Sequence, residues 1–371
     1  MAGVILAGFY GCSFLLGGEL GAIVQAGLET VPFAILAILA YLAVAQKSLR
    51  WMAVAWLYGL VALIAFLAFN SSFLAVLVNP VLRPGMIPEF IEGGLINLVF
   101  ICAGLGLSVL AGSLGFLPAF RQGLSRRLPI DPLNFVHTIA LVTVLILSLL
   151  PFMPLIFLGE PPLLVVATGF ADSGETFVDR DNAGLLRDQV YRLAWLIPSV
   201  IFAVGYGIRR NLWQALARLG LVRPSLRQII IGVGLATLLV VVVTGLDLLL
   251  GWLWEQTGWA RTDGQAFGLI VDFALTPIGA VVLGVTAGLG EELAIRGVLQ
   301  PRMGIILSNL LFTSLHALQY NWDGLIVVFF IGLFFGFIRR RSNTTVCAII
   351  HGFYDFIIIL AVVLEMPGFE F

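Results

Sequence analysis

Three stretches of this chain, residues 51–82, 93–120 and 132–159, contain no aspartate, glutamate, lysine or arginine. Crossing a bilayer as a helix takes about 20 apolar residues, and a backbone in lipid must satisfy its own hydrogen bonds, so runs of this length admit little besides membrane helices. Shorter charge-free runs at 30–46, 193–208, 228–246, 273–290, 303–322 and 324–338 carry the pattern to the C-terminus. The expected fold is therefore all-α, a polytopic membrane helical bundle. Composition agrees: 371 residues that are 60% hydrophobic and 11% charged have too few charges to coat a soluble globule, where about 25% is usual. With 20 basic against 21 acidic residues the net charge is −1, so no basic field exists to bind nucleic acid.

The basic residues set the expected topology. Lys47 and Arg50; Arg121, Arg126 and Arg127; Arg209, Arg210, Arg218, Arg223 and Arg227; and Arg339, Arg340 and Arg341 form four clusters. Short basic loops stay in the cytoplasm. The stretch 158–189 is instead acidic, with Glu160, Asp172, Glu175, Asp179, Asp181 and Asp188, as expected of a loop on the far side that carries a small surface helix. Spans at roughly 3–27, 30–46, 51–77, 94–118, 135–157, 190–208, 228–250, 269–299, 304–320, 324–338 and 345–365 alternate correctly, about 11 transmembrane helices with a cytoplasmic N-terminus. The first apolar run starts at Ala2 with no basic segment ahead of it, which favours a retained helix over a cleaved signal peptide. The weakest spans are the first, which holds Glu19, and 51–92, where Asn70, Ser71, Ser72, Pro80 and Pro84 suit a broken or re-entrant helix. A division near Asp131 separates an N-terminal membrane extension, 1–130, from 131–371, where every group with assignable chemistry lies. Cys12, Cys102 and Cys347 sit singly in apolar stretches and read as small packing side chains.

Ionisable groups at membrane depth cost several kcal/mol unless paired or hydrated. Glu291, Glu292 and Arg296 interrupt one apolar helix, His316 the next, and His351 and Asp355 a third. At about 100° per residue, Arg296 is roughly 40° around from Glu292 but roughly 140° from Glu291. The i,i+4 ion pair thus belongs to Glu292, and Glu291 is left to face something else. His351 and Asp355 share a face. Counted from Arg302 and Arg341, taken as cytoplasmic ends, Glu291, His316 and His351 lie roughly 16, 21 and 15 Å deep at about 1.5 Å per residue. His137 reads as interfacial, and Asp247 and Asp272 as lying near outer helix ends. The Glu292–Arg296 pair also has a purely structural reading, pinning helices together.

A carboxylate and a histidine across a water can act as general base, with further donors holding the oxyanion. Zinc held by Glu291, His316, His351 and Asp355 is the alternative, although His-Glu-x-x-His is absent. No rhomboid-type nucleophile segment surrounds Ser314. Tyr354-Asp355 matches half of a presenilin-type pair, but Gly288-Leu289-Gly290 is followed by Glu291 and not by Asp.

Glu-Glu-x-x-x-Arg at 291–296, Phe-x-x-x-His at 312–316 and His-x-x-x-Asp at 351–355, in that order on three helices, resemble the CPBP family. This is the CAAX protease and bacteriocin-processing, or Abi, group. The resemblance covers 269–365 by motif and 135–371 by helix count. It implies an intramembrane endopeptidase of a bacterial plasma membrane, cutting a membrane peptide or lipidated protein near the cytoplasmic leaflet, and the missing His-Glu-x-x-His favours cofactor-free acid–base chemistry over zinc. In that reading Glu291 and His316 activate water, with Glu292 and Arg296 alongside, while His351 and residue 355 support the oxyanion. The family commonly has Asn at the last position. An ionised Asp355 would repel an oxyanion, whereas a protonated one can donate to it. Two other readings stay open: a catalytically silent relative serving as binding subunit of a membrane complex, and a proton-coupled carrier relaying through Glu291 and Asp355.

Overall fold

A computed structural model describes residues 16–82, 87–173 and 182–369. Among them the regular elements are helical, and the only bridge is an isolated one between Tyr206 and Arg210. Eight helical segments among the described residues are long and apolar enough to cross a membrane: Gly18–Ala45, Lys47–Phe66, Val99–Phe116, Phe135–Leu158, Leu226–Thr257, Pro277–Leu318, Trp322–Arg341 and Thr344–Val363. The all-α bundle expected from the charge-free runs is what forms, with two of these eight segments each holding a pair of helices that the sequence counts as separate spans.

The difference has local causes. Gly18–Ala45 contains two helices, Gly18–Leu28 and Val31–Ala45, and Pro277–Leu318 contains what the sequence divides into two spans. In the latter the kink falls at Gly304, whose φ of 75° is open to glycine and costly for other residues. The Asn182–Ala203 helix stands where 190–208 was expected, yet its first turns carry Arg187, Asp188 and Arg192. Arg187 lies 3.0 Å from Glu19 and Arg192 3.2 Å from Glu29, and the Tyr191 hydroxyl donates to Glu19. Glu19 in its apolar helix is thereby partnered. The Arg50–Leu82 helix runs unbroken through Asn70, Ser71, Ser72 and Pro80, so no break occurs there. Pro84, Cys12, the first half of the 3–27 span and the acids at 175, 179 and 181 lie outside the described residues. Within 158–189, where a small surface helix was expected, a helix forms at Pro162–Ser173.

The C-terminal helices begin at side-chain caps. Thr276 accepts the amide of Gly279 ahead of Pro277, Asn321 that of Trp322 and Asn343 that of Val346, each satisfying an amide a helix start leaves free. Helices on both sides of Asp131 share one core, in which Leu36, Tyr41, Leu57 and Leu60 pack with Val136, Ile139, Val142 and Ile146. A second core joins Ala236, Val240 and Trp254 to Phe335, Ile350 and Tyr354.

Candidate active site

The Pro277–Glu292 and Thr344–Val363 helices meet at glycine. A β-carbon on Gly284 would lie 2.5 Å from the Gly352 carbonyl oxygen, and one on Gly288 2.5 Å from the Gly352 nitrogen. Small residues four apart let membrane helices approach this closely. The contact falls one residue from His351 and three from Glu291, so the backbone crossing is what brings imidazole and carboxylates together. Immediately after Glu292 the helix widens into a π-helical segment, Leu293–Leu299, a distortion common at functional sites.

His351 is the hub. Its Nδ1 lies 3.0 Å from Glu292 Oε1, and its Nε2 faces two more carboxylates, Asp355 Oδ2 at 3.5 Å and Glu291 Oε2 at 3.9 Å. Arg296 Nε stands 3.5 Å from the other oxygen of Glu292, within an ion pair but beyond a well-made hydrogen bond. Glu292 is wholly buried and Arg296 is 1% exposed, whereas the side chain of Glu291 is 38% exposed. Two adjacent glutamates therefore occupy opposite environments. Three carboxyl groups share this cluster with one guanidinium and one imidazole.

Aromatic rings wall it. Arg296 sits over Phe312, 4.8 Å from the centroid, and over Phe335 at 5.8 Å, and donates 3.0 Å to the Gly332 carbonyl. Phe335 stacks on His351 at 4.7 Å. Among protein atoms Glu292 Oε2, Arg296 Nε and Nη1 and Thr313 Oγ1 are buried without a hydrogen-bond partner.

His316 is set apart from this hub. It ends the Gln300–Leu315 helix and opens a 3₁₀ turn, His316–Leu318, so it stands at a helix terminus near the end of the Pro277–Leu318 segment. Its Nδ1 is 2.8 Å from the Phe312 carbonyl. A carbonyl only accepts, so Nδ1 carries the hydrogen, and in the neutral ring Nε2 keeps its lone pair. Phe312 touches both imidazoles, with centroids 4.8 Å from His316 and 6.3 Å from His351. The structure thus joins Glu291, Glu292, Arg296, His351 and Asp355 directly and connects His316 to them through Phe312.

Residues 273–357 match the family model described as Type II CAAX prenyl endopeptidase Rce1-like. The likeness covers that segment, less than a quarter of the chain. The segment contains Glu291, Glu292, Arg296, His316, His351 and Asp355, and it agrees with the resemblance their spacing carries to the CPBP group. No curated protein and no solved structure matches the chain. Together the apolar helices support a multi-pass membrane protein, and its segment 273–357 is similar to an endopeptidase family.

The zinc alternative finds no preformed site, and one depth mark needs correcting. Among the described residues no three His, Cys, Asp or Glu side chains gather as they would on a cation, so Glu291, His316, His351 and Asp355 do not form a ready zinc site. The reason is visible: His351 turns each nitrogen to a carboxylate, and Nδ1 of His316 is committed to a backbone carbonyl. Arg302, used above as a depth mark in water, is buried and bonded to the Tyr41 hydroxyl, so depths counted from it measure distance from a protein cavity. Of the remaining candidates, Asp247 is 4.0 Å from Arg261, Asp272 accepts from Asn182, Cys347 is buried and Cys102 exposed. The π segment and the Gly284–Gly288–Gly352 crossing escaped the sequence reading, although Gly-x-x-x-Gly at 284–288 was there to be seen.

Proposed function

We propose that this chain is a glutamate-dependent intramembrane endopeptidase, hydrolysing a peptide bond of a membrane-associated peptide or lipidated protein at the cytoplasmic side of a bacterial plasma membrane. One observation carries the reading: Glu291 is partly open while its neighbour Glu292 is sealed against Arg296 and His351. A general base must reach water and substrate, and a positioning carboxylate need not. Glu291 takes the proton of a water, and the free lone pair of His316 Nε2 helps hold that water on the substrate side. As the water oxygen bonds to the scissile carbonyl carbon, charge moves to the carbonyl oxygen. His351, as an imidazolium, donates Nδ1–H to Glu292 and offers its Nε2–H to that oxygen, and Asp355 serves beside it when protonated. Collapse of the tetrahedral intermediate passes the proton from Glu291 to the leaving amine.

Quenched peptides with and without a prenylated cysteine, offered to protein purified in detergent, test the reading. Wild type is expected to cut at least one class, and Glu291→Gln and His316→Ala to lose on the order of 10²–10⁴-fold in kcat, the usual worth of acid-base catalysis. A second reading, a silent relative acting as a binding subunit, is favoured by the Asp355 carboxylate 3.5 Å from Nε2 of His351. Wild type that cuts nothing yet copurifies in fixed ratio with another membrane protein would establish that reading instead.

A further inference from the structure

A second polar site lies away from the carboxylates. A cavity of about 210 Å³ is lined by Tyr41, His137, Arg209, Arg210, Arg218 and Arg302, among others, and by no aspartate or glutamate. The volume equals that of about seven waters at ~30 Å³ each, small for a drug-sized ligand and ample for a phosphate group.

Its four guanidinium groups come from three parts of the chain: the turn after the Asn182–Ala203 helix, the short Leu212–Leu219 helix and the start of Gln300–Leu315. None makes an ion pair with a carboxylate among the described residues. Their contacts are with neutral oxygens. Arg302 donates to the Tyr41 hydroxyl, Arg210 to Tyr41 and the Val204 carbonyl, and Arg218 to the Gly297 carbonyl at 3.0 Å. Burial, reinforced by repulsion from Arg302 and Arg210, pulls the Arg218 guanidinium down to about 10. Asp131, the nearest acid to His137, is exposed and does not line the cavity; its Oδ1 accepts the Leu133 amide. His137 adds a donor, because its Nδ1 accepts the Asp131 amide at 2.9 Å and the neutral ring then holds its hydrogen on Nε2.

Like charges are not gathered and part-buried without compensation at no cost. Arginine forks match phosphate oxygens bidentately, and basic pockets between membrane helices on the cytoplasmic side suit anionic headgroups. We propose that this cavity binds a phosphate-bearing anion, in the chemistry shared by free inorganic phosphate and the phosphate of an anionic phospholipid headgroup, and that the bound anion clamps the Val31–Ala45 helix to the start of Gln300–Leu315.

The test uses the full chain in a neutral detergent. Thermal midpoints are measured while titrating sodium phosphate, or micelle-dispersed phosphatidylglycerol against phosphatidylcholine, with sodium chloride at matched ionic strength as baseline. Stabilisation by phosphate or phosphatidylglycerol, weakened at least about tenfold in apparent affinity by Arg209→Gln and by Arg218→Gln and untouched by the exposed Arg126→Gln, is the expected result. Response to both ligands identifies the phosphate itself as what is read, and response to the lipid alone identifies the anchored headgroup. Arg302→Gln is buried enough to threaten folding, so the decision rests on the two more accessible arginines. No stabilisation beyond chloride, or equal affinity in wild type and both variants, overturns the proposal.

Discussion

A β-carbon on Gly288 would sit 2.5 Å from the backbone nitrogen of Gly352 and 2.6 Å from its α-carbon. The obstacle is backbone, which cannot swing away as a side chain would. Gly288→Ala must therefore push the Pro277–Glu292 helix off Thr344–Val363, at the about 1–3 kcal/mol typical of overpacking. A misplacement of about 1 Å between Glu291 and His351 costs on the order of 10²-fold in rate. Thermal melting in detergent is expected to show a lower midpoint, and peptide cleavage a larger proportional loss. Gly234→Ala, with open space around it, is the comparison and should leave both unchanged.

Glu292 and Arg296 predict a different signature. Both are sealed from water, so removing one partner leaves a buried charge, a loss of about 3–5 kcal/mol. Arg296→Met and Glu292→Leu should each lower stability sharply, and the double variant should recover much of it, since replacing both charges is often near neutral. A double-mutant cycle on thermal midpoints measures the coupling. Recovered stability without recovered cleavage would separate the pair's packing role from its hold on His351; additive losses would show that the two groups do not act together.

Much of this arrangement was legible because lipid simplifies the code. Long uncharged runs leave helices as the main solution, and a carboxylate inside such a run announces itself. Helical geometry alone paired Arg296 with Glu292 and not Glu291. What could not be read is what depends on where helices break and cross. Gly304 leaves helical backbone geometry and so separates two helices at the boundary read from the sequence, whereas the π segment Leu293–Leu299 distorts the helix ahead of it with no local sign. The Glu19 and Glu29 pairings depend on Arg187 and Arg192, far along the chain, which no local pattern signals. His316 looked equivalent to His351 by depth, yet it ends a helix and meets the cluster through a phenyl ring.

Asp323, buried at the start of the Trp322–Arg341 helix, holds the segment that follows Leu226–Thr257. It accepts the Thr262 amide at 3.1 Å and the Thr262 hydroxyl at 2.7 Å, with Arg261 at 3.7 Å. Hydrogen bonds to a charged group contribute about 1.5–3 kcal/mol. Asp323→Ala should lower the thermal midpoint and speed proteolytic nicking around residue 262, while sparing kcat, because no member of the His351 cluster touches this knot. Unchanged nicking would mean that the segment is held by apolar packing.

Asp355 offers the sharpest separation of the chemical readings. Its Oδ2 is 3.5 Å from Nε2 of His351, the nitrogen that also faces Glu291 at 3.9 Å. An ionised carboxylate here repels charge growing on a substrate oxygen, and a protonated one donates to it. Wild-type kcat should therefore fall as rising pH removes the Asp355 proton. An asparagine side chain in its place has no proton to lose, and its amide donates at every pH. Asp355→Asn is expected to raise kcat several-fold on the alkaline side and flatten that limb of the pH–rate profile. Parallel profiles for the two proteins would remove Asp355 from the oxyanion site. A loss of activity at all pH values would instead assign it a role that requires its charge, holding His351 as an imidazolium.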